Sequence, residues 1–203
     1  MTSCPFCEHE QTAKQLVAEI AGNRVIATLG QITDGGYVLV VSKRHVECVG
    51  ALTAQEVAGF KLATDRVTSA VRREFGGPVT IFEHGVVGQT VPHAHLHVMP
   101  EEPELESWIY RDFPRADYED FDDFAELGAA YAAAPRPYLL WAVQGDILRV
   151  CWNPPAPPLY LRLAAAESLG RPERGDWRNV DPVADRKLIT ETVERLSPRL
   201  IVR

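Results

Sequence analysis

The densest chemistry in the chain is His93-Ala94-His95-Leu96-His97, which holds three of its six histidines at alternating positions. Imidazole titrates near neutral pH and serves as nucleophile, acid–base group or metal ligand. On a β-strand, residues i, i+2 and i+4 share a face. His93, His95 and His97 then line one side, while Ala94, Leu96 and Val98 make an apolar side suited to a core. Packing alone would rarely choose three imidazoles in a row. Two other readings of the pattern are a half-buried strand with a His-rich polar face and a His-rich metal strand. A second group is the pair in Cys4-Pro5-Phe6-Cys7, a spacing that reads as metal-binding or redox-active and needs partners. Structural zinc takes four Cys or His ligands. Cys48 competes as a ligand because it closely follows His45, although a buried free thiol is the simpler reading; Cys151, between Val150 and Trp152, reads as core.

The elements that must position these groups follow from periodicity. Residues 10–22 fit a short helix or a strand equally well. Arg24 to Leu29 and Tyr37 to Ser42 read as strands around a turn at Asp34-Gly35-Gly36. Thr53-Ala54-Gln55-Glu56 is a capping box, in which the Thr hydroxyl and Glu carboxylate satisfy the first free amides of a helix. Val57, Phe60, Val67 and Val71 continue it as an apolar stripe, and Gly76-Gly77-Pro78 ends it. Val79 to Glu83 and His93 to Met99 are two more strands. Residues 101–123 mix acidic residues with prolines and aromatics, which suggests a connecting segment over the surface. Beyond it, Asp123 to Ala134 suits a helix, Tyr138 to Val143 and Ile147 to Trp152 a hairpin across Gln144-Gly145-Asp146, Leu159 to Leu169 a partial helix, and Pro182 to Leu196 a last helix. The expected fold class is α+β, with a catalytic unit at 1–103 and an α+β extension at 104–203 packed against it.

Bulk properties narrow the partners. The net charge of -7 would repel nucleic acid and anionic membranes, so neither is expected as a partner. No apolar run reaches the roughly 20 residues of a membrane helix, and Met1-Thr2-Ser3-Cys4-Pro5 lacks a signal-peptide pattern. A cytoplasmic protein is expected.

The residues from 93 onward, His-Ala-His-Leu-His-Val-Met, resemble the signature of the histidine triad (HIT) superfamily. Gly88-Gln89-Thr90 resembles its lead-in, and Val38-Leu39-Val40-Val41-Ser42-Lys43-Arg44-His45 resembles its strand ending in Pro-Lys-X-His. Cys4-Pro5-Phe6-Cys7 is similar to the N-terminal pair of its zinc-containing bacterial branch. These segments fall in the family's order and span roughly residues 4–100. The resemblance implies an antiparallel HIT-like sheet and a nucleotidyl hydrolase, cleaving a dinucleoside polyphosphate or nucleoside phosphoramidate at the α-phosphate. It makes His95 the nucleophile of a covalent nucleotidyl-histidine and His97 a donor to phosphate oxygens, with Gln89 and Thr90 around the phosphate and leaving group. It makes Cys4, Cys7, His45 and His93 the ligands of a structural Zn²⁺, and a homodimer the expected assembly. Alternatives are a nucleotidyltransferase of the same superfamily, whose members tend to carry Gln where this chain has His97, and a non-catalytic nucleotide sensor.

Three features depart from the family pattern, of which Ser42 in place of the common Pro is harmless. Leu29 stands where relatives place the Asp that holds ribose hydroxyls, which leaves Asp34 or a C-terminal residue to substitute. His84 stands where an Asn helps to orient catalytic groups, so it joins the substrate-binding candidates beside the reading of a plain loop histidine. In the second half, Arg171, Arg174, Trp177 and Arg178 form a loop that could clamp a phosphate and stack on a base, or stand solvated. Arg174 and Arg178 are its substrate-binding candidates. The acidic run Asp117 to Asp123 fits a helix entry better than a Mg²⁺ site.

Overall fold

A computed structural model describes residues 4–143 and 147–200. One sheet of eight strands carries the fold: β1 (Leu16–Ile20), β2 (Asn23–Ala27), β3 (Val38–Val41), β4 (Val79–Gly85), β5 (His95–Pro100), β6 (Asp117–Phe121), β7 (Tyr138–Val143) and β8 (Leu148–Trp152). Their order across the sheet is β1-β2-β3-β5-β4-β7-β8-β6, and every neighbouring pair is antiparallel. The sheet therefore runs without a break from the first half of the chain into the second. The β4–β7 pair, with Phe82 opposite Trp141, is the joint.

Among the described residues, five α-helices cover the two faces: α1 (Ala54–Phe75), α2 (Leu105–Asp112), α3 (Phe124–Ala133), α4 (Tyr160–Ser168) and α5 (Pro182–Leu200). Alternation along the strands decides which residues meet which layer. Val38, Val40, Leu96, Val98, Ile81, Leu140 and Val150 pack with α1, α3 and α5 through Phe60, Val67, Leu127 and Leu196. Leu139, Trp141, Phe82 and Cys151 point the other way and pack with Ile109 of α2 and Leu161, Ala164 and Ala165 of α4. Helix α1 begins at the expected capping box, both of whose hydrogen bonds are present, and ends at Gly76 with φ of 75°. No helix among the described residues is long and apolar enough to cross a membrane.

Two expectations and one alternative reading change on folding. The ambiguous stretch 10–22 divides into a 3-10 segment, His9–Gln15, followed by β1. The acidic segment 101–123 is not a plain connection, because it contains α2 and the edge strand β6. Leu105 and Ile109 bury one stripe of α2, while Asp117, Glu119 and Asp120 sit exposed on the sheet edge, where unpaired backbone is guarded by charge. The polar face of the histidine strand is not half-open either, since all six residues of β5 are buried. The strands expected at Tyr138–Val143 and Ile147–Trp152 do pair as a hairpin; the turn Gln144-Gly145-Asp146 lies outside the described residues.

One buried acid also ties the halves together. Glu83 accepts from Val49 N at 2.8 Å and from the Tyr138 hydroxyl at 2.6 Å, and burial pushes its carboxyl up to about 7. Two donors to one interior carboxyl offset much of its desolvation.

Candidate active site

Strand β5 places His95 and His97 on the α4 side of the sheet, with Leu96 and Val98 on the α1 side. Across the sheet, His97 lies opposite Leu39 on β3 and Phe82 on β4. Its ring stacks on Phe82 with centroids 4.4 Å apart and planes 5° apart. The His95 and His97 rings lie 5.1 Å apart. His95 Nδ1 is 2.6 Å from the carbonyl of His93, which only accepts, so the ring donates there and its Nε2 keeps a lone pair. Burial draws the His95 pKa down to about 4 and that of His97 well below its ordinary value, with the positive Arg162 adding to both. Both rings are thus neutral at pH 7.

These rings border a cavity of about 290 Å³. Phe6, Ile26, Leu29 and Leu39 make an apolar wall, Gln89 and Thr90 lie along the lining, and Arg162 and Trp177 arrive from the second half. No carboxylate lines this cavity among the described residues. Leu29 lies in the wall, whereas Asp34, a possible substitute for a ribose-holding acid, is not a lining residue and pairs with Arg174, 2.7 Å from it.

The other candidates take varied positions. His84 borders the cavity, but its Nε2 accepts the backbone N–H of Leu161 at 3.0 Å, so it ties β4 to α4; burial lowers its pKa to about 3. Gln89 donates to the Glu47 carbonyl at 2.6 Å. Arg174 and Arg178 are not among the lining residues. Arg174 bonds Asp34, and Arg178 forms a two-pronged pair with Asp176 in its own loop. Pairing with Asp34 for Arg174, and with Asp176 of the same loop for Arg178, holds both side chains away from the lining, and the loop's contribution to the cavity is Trp177.

Sequence reasoning did not find Arg162 or Tyr37. Arg162 is 3% exposed and donates to Gly175 O (3.1 Å), Gly30 O (2.7 Å) and the Tyr37 hydroxyl (3.1 Å). That hydroxyl is also 2.7 Å from His97 Nδ1. Gly30, at φ of 68°, is needed for this closeness, because a Cβ there would lie 2.6 Å from the Trp177 Cβ and 2.7 Å from Arg162. An arginine in an otherwise apolar stretch, Leu161-Arg162-Leu163-Ala164, was the available signal for a paired interior cation.

Beside the cavity, Cys4, Cys7, His45 and His93 offer ligand atoms that all lie within 4.8 Å of one another. Sulfur-to-nitrogen distances are 3.5 Å for Cys4–His93, 3.3 Å for Cys7–His45 and 3.6 Å for Cys7–His93. Metal–ligand bonds of roughly 2.3 Å to sulfur and 2.0–2.1 Å to nitrogen in a tetrahedron place such atoms about 3.5 Å apart. The donor set fits a small tetrahedral ion. His93 Nε2 also faces Ser42 O at 2.9 Å, the outer hydrogen bond that leaves Nδ1 free as a ligand. Cys48 lies outside this group, buried in the α1-side core.

Residues 32–104 match the family model described as the HIT domain. The bis(5'-adenosyl)-triphosphatase of Dictyostelium discoideum is 38% identical over 68 residues, which cover 32% of this chain and 46% of that protein. The chain thus spans about half the length of this curated relative. Among solved structures, a HIT family protein from Bacillus anthracis is 27% identical, covering 51% of this chain and 76% of that chain, with a TM-score of 0.44. A Zn-bound histidine triad family protein from Mycobacterium smegmatis is 27% identical, covering 49% and 76%, with a TM-score of 0.42.

Proposed function

We propose that this chain, which carries a HIT domain across residues 32–104, is a nucleotidyl hydrolase that works through a covalent intermediate on His95. The observation that carries the reading is the bare Nε2 of a neutral His95, held by the His93 carbonyl at the edge of a cavity large enough for a small nucleotide. The matched triphosphatase points to a dinucleoside polyphosphate or a related nucleoside phosphate derivative as substrate.

In the proposed reaction, His95 Nε2 attacks the α-phosphorus. The nitrogen–phosphorus bond forms as the bond to the leaving group breaks, and the leaving group takes that electron pair. A phosphate leaving group departs as an anion and needs no proton. Water then attacks the same phosphorus; the nitrogen–phosphorus bond breaks with its electron pair returning to His95 Nε2, and the water's proton passes to solvent as the nucleoside monophosphate leaves. Dividing one displacement into two lowers the barrier to each. His97 hydrogen-bonds the phosphate oxygens where charge builds up. Gln89 and Thr90 lie along the same lining and add neutral donors there.

The cysteine–histidine group is assigned a structural Zn²⁺, held by Cys4, Cys7, His45 and His93. When bound, zinc would brace the N-terminal segment against the residue whose carbonyl orients His95. Purified protein should contain about one zinc per chain, and Cys4→Ser or Cys7→Ser should lose it. A loss of only about 2 kcal/mol would lower the melting temperature of a chain this size by roughly 4–8 °C. Freshly purified, unchelated protein without metal would contradict the site. A homodimeric assembly and a cytoplasmic location belong to the same reading.

Incubation with a panel of adenylated and guanylated compounds, diadenosine triphosphate and adenosine phosphoramidate among them, tests the activity. AMP or GMP should appear in water alone. Turnover only with an added phosphate acceptor would make the protein a transferase, and binding without products a sensor.

A further inference from the structure

We propose that Tyr37 and Arg162 are positioning residues that fix the proton of His97 on Nε2, so that His97 presents a donor beside the bare Nε2 of His95. The catalytic consequence rests on the hydrolase reading above; the placement of the proton does not.

The assignment follows from what each group can do. A guanidinium only donates, so the Tyr37 hydroxyl oxygen accepts from Arg162 at 3.1 Å. Tyr37 is completely buried, and its hydroxyl has one other partner among the described residues, His97 Nδ1 at 2.7 Å. If Nδ1 carried the proton, the oxygen would accept twice and the phenol proton would be buried with no acceptor, the costly arrangement in a protein interior. Tyr37 therefore donates to Nδ1, and the neutral ring keeps its own proton on Nε2. Burial also favours the protonated phenol, pushing the Tyr37 pKa up to about 12.

Two histidines two residues apart thus take opposite tautomers, because their Nδ1 atoms meet opposite partners: a carbonyl at His95 and a hydroxyl at His97. One ring offers a lone pair and its neighbour an N–H. Arg162 makes the polarity of this chain one-way. Its three hydrogen-bond partners are neutral oxygens at the wall of the cavity, and the carboxylate that feels its charge, Asp176, is itself paired with Arg178. Through this contact the second half of the chain reaches the reacting groups of the first.

Long-range ¹H–¹⁵N correlation on full-length protein labelled at histidine nitrogen reads the tautomers directly. His97 should show an unprotonated Nδ1 and a protonated Nε2, and His95 the reverse. In Tyr37→Phe the single His97 form should give way to a mixture, and kcat should fall on the order of 10²-fold with little change in KM, the scale seen when one positioned transition-state donor is lost. Arg162→Met should move both readouts the same way. In the double variant the His97 tautomer mixture should match that of Tyr37→Phe, because the two residues act in series on that proton. A proton on His97 Nδ1 in the unaltered protein would overturn the proposal without any variant, as would a Tyr37→Phe protein with an unchanged tautomer and unchanged kcat. Failure of every compound to turn over would reject the hydrolase reading and leave the nitrogen assignment standing.

Discussion

His95→Ala should leave a folded protein whose turnover is lower by roughly 10⁴-fold or more, the scale expected when a covalent nucleophile is removed. The side chain lines the cavity, so its loss enlarges a space that already exists. The structural cost is largely its hydrogen bond to the His93 carbonyl, about 0.5–1.5 kcal/mol. Turnover and stability should therefore separate, with the melting temperature moving by a few degrees while product formation all but stops. His97→Ala would remove a donor and leave the nucleophile, so its loss should be smaller. Near-normal turnover in His95→Ala, with the fold intact, would remove the covalent mechanism.

The second large effect is on folding. A chain cut after Pro103 should be recovered aggregated or inactive. The cut strips β7 from β4 along six paired positions, from Thr80 opposite Val143 to Gly85 opposite Tyr138, and exposes a long apolar edge. It also removes Leu139, Trp141 and Leu161 from the layer that covers Phe82 and Met99. Each such side chain contributes about 1.5–3 kcal/mol by burial, so a few of them equal the whole stability of a typical domain, about 5–15 kcal/mol. The buried Tyr138 hydroxyl would leave Glu83, and Asp185 would leave the backbone N–H groups of Gly30 and Gln31. A monodisperse 1–103 fragment with full activity would show that the second half is a passenger. The expected result gives that half two roles, completing the sheet and supplying Arg162 and Trp177 to the cavity.

Local pattern carried much of the site. Alternation of His with Ala and Leu was enough to place His95 and His97 on one side of a strand, since period two follows from backbone geometry alone. The Thr53–Glu56 box and the Gly76 stop located α1 because capping is a short-range matter. Cys4, Cys7, His45 and His93 converge as the family resemblance implied. The parts that were not legible depend on which distant surfaces meet. Nothing near Tyr37 in sequence shows that Arg162 will reach its hydroxyl, and nothing in the alternation at 93–98 shows that α4 will bury the histidine face. Arg174 and Arg178 carried the right charge for a phosphate, but Asp34 and Asp176 in reach of their loop hold them away from the cavity lining. In residues 101–123 the acidic side chains masked an available signal: Leu105, Ile109 and Phe113 recur at helical spacing and do bury one side of α2 and its exit.

Mass analysis reads the proposed bond between phosphorus and His95 directly. Full-length protein mixed with diadenosine triphosphate or adenosine phosphoramidate, quenched in denaturant at early times and kept away from acid, should carry one added adenylyl group. Peptide fragmentation should place that group on His95, and the adduct should disappear as AMP accumulates. An adduct on another residue, or AMP produced at full rate with none detectable in both the unaltered and the His97→Ala protein, would contradict the account.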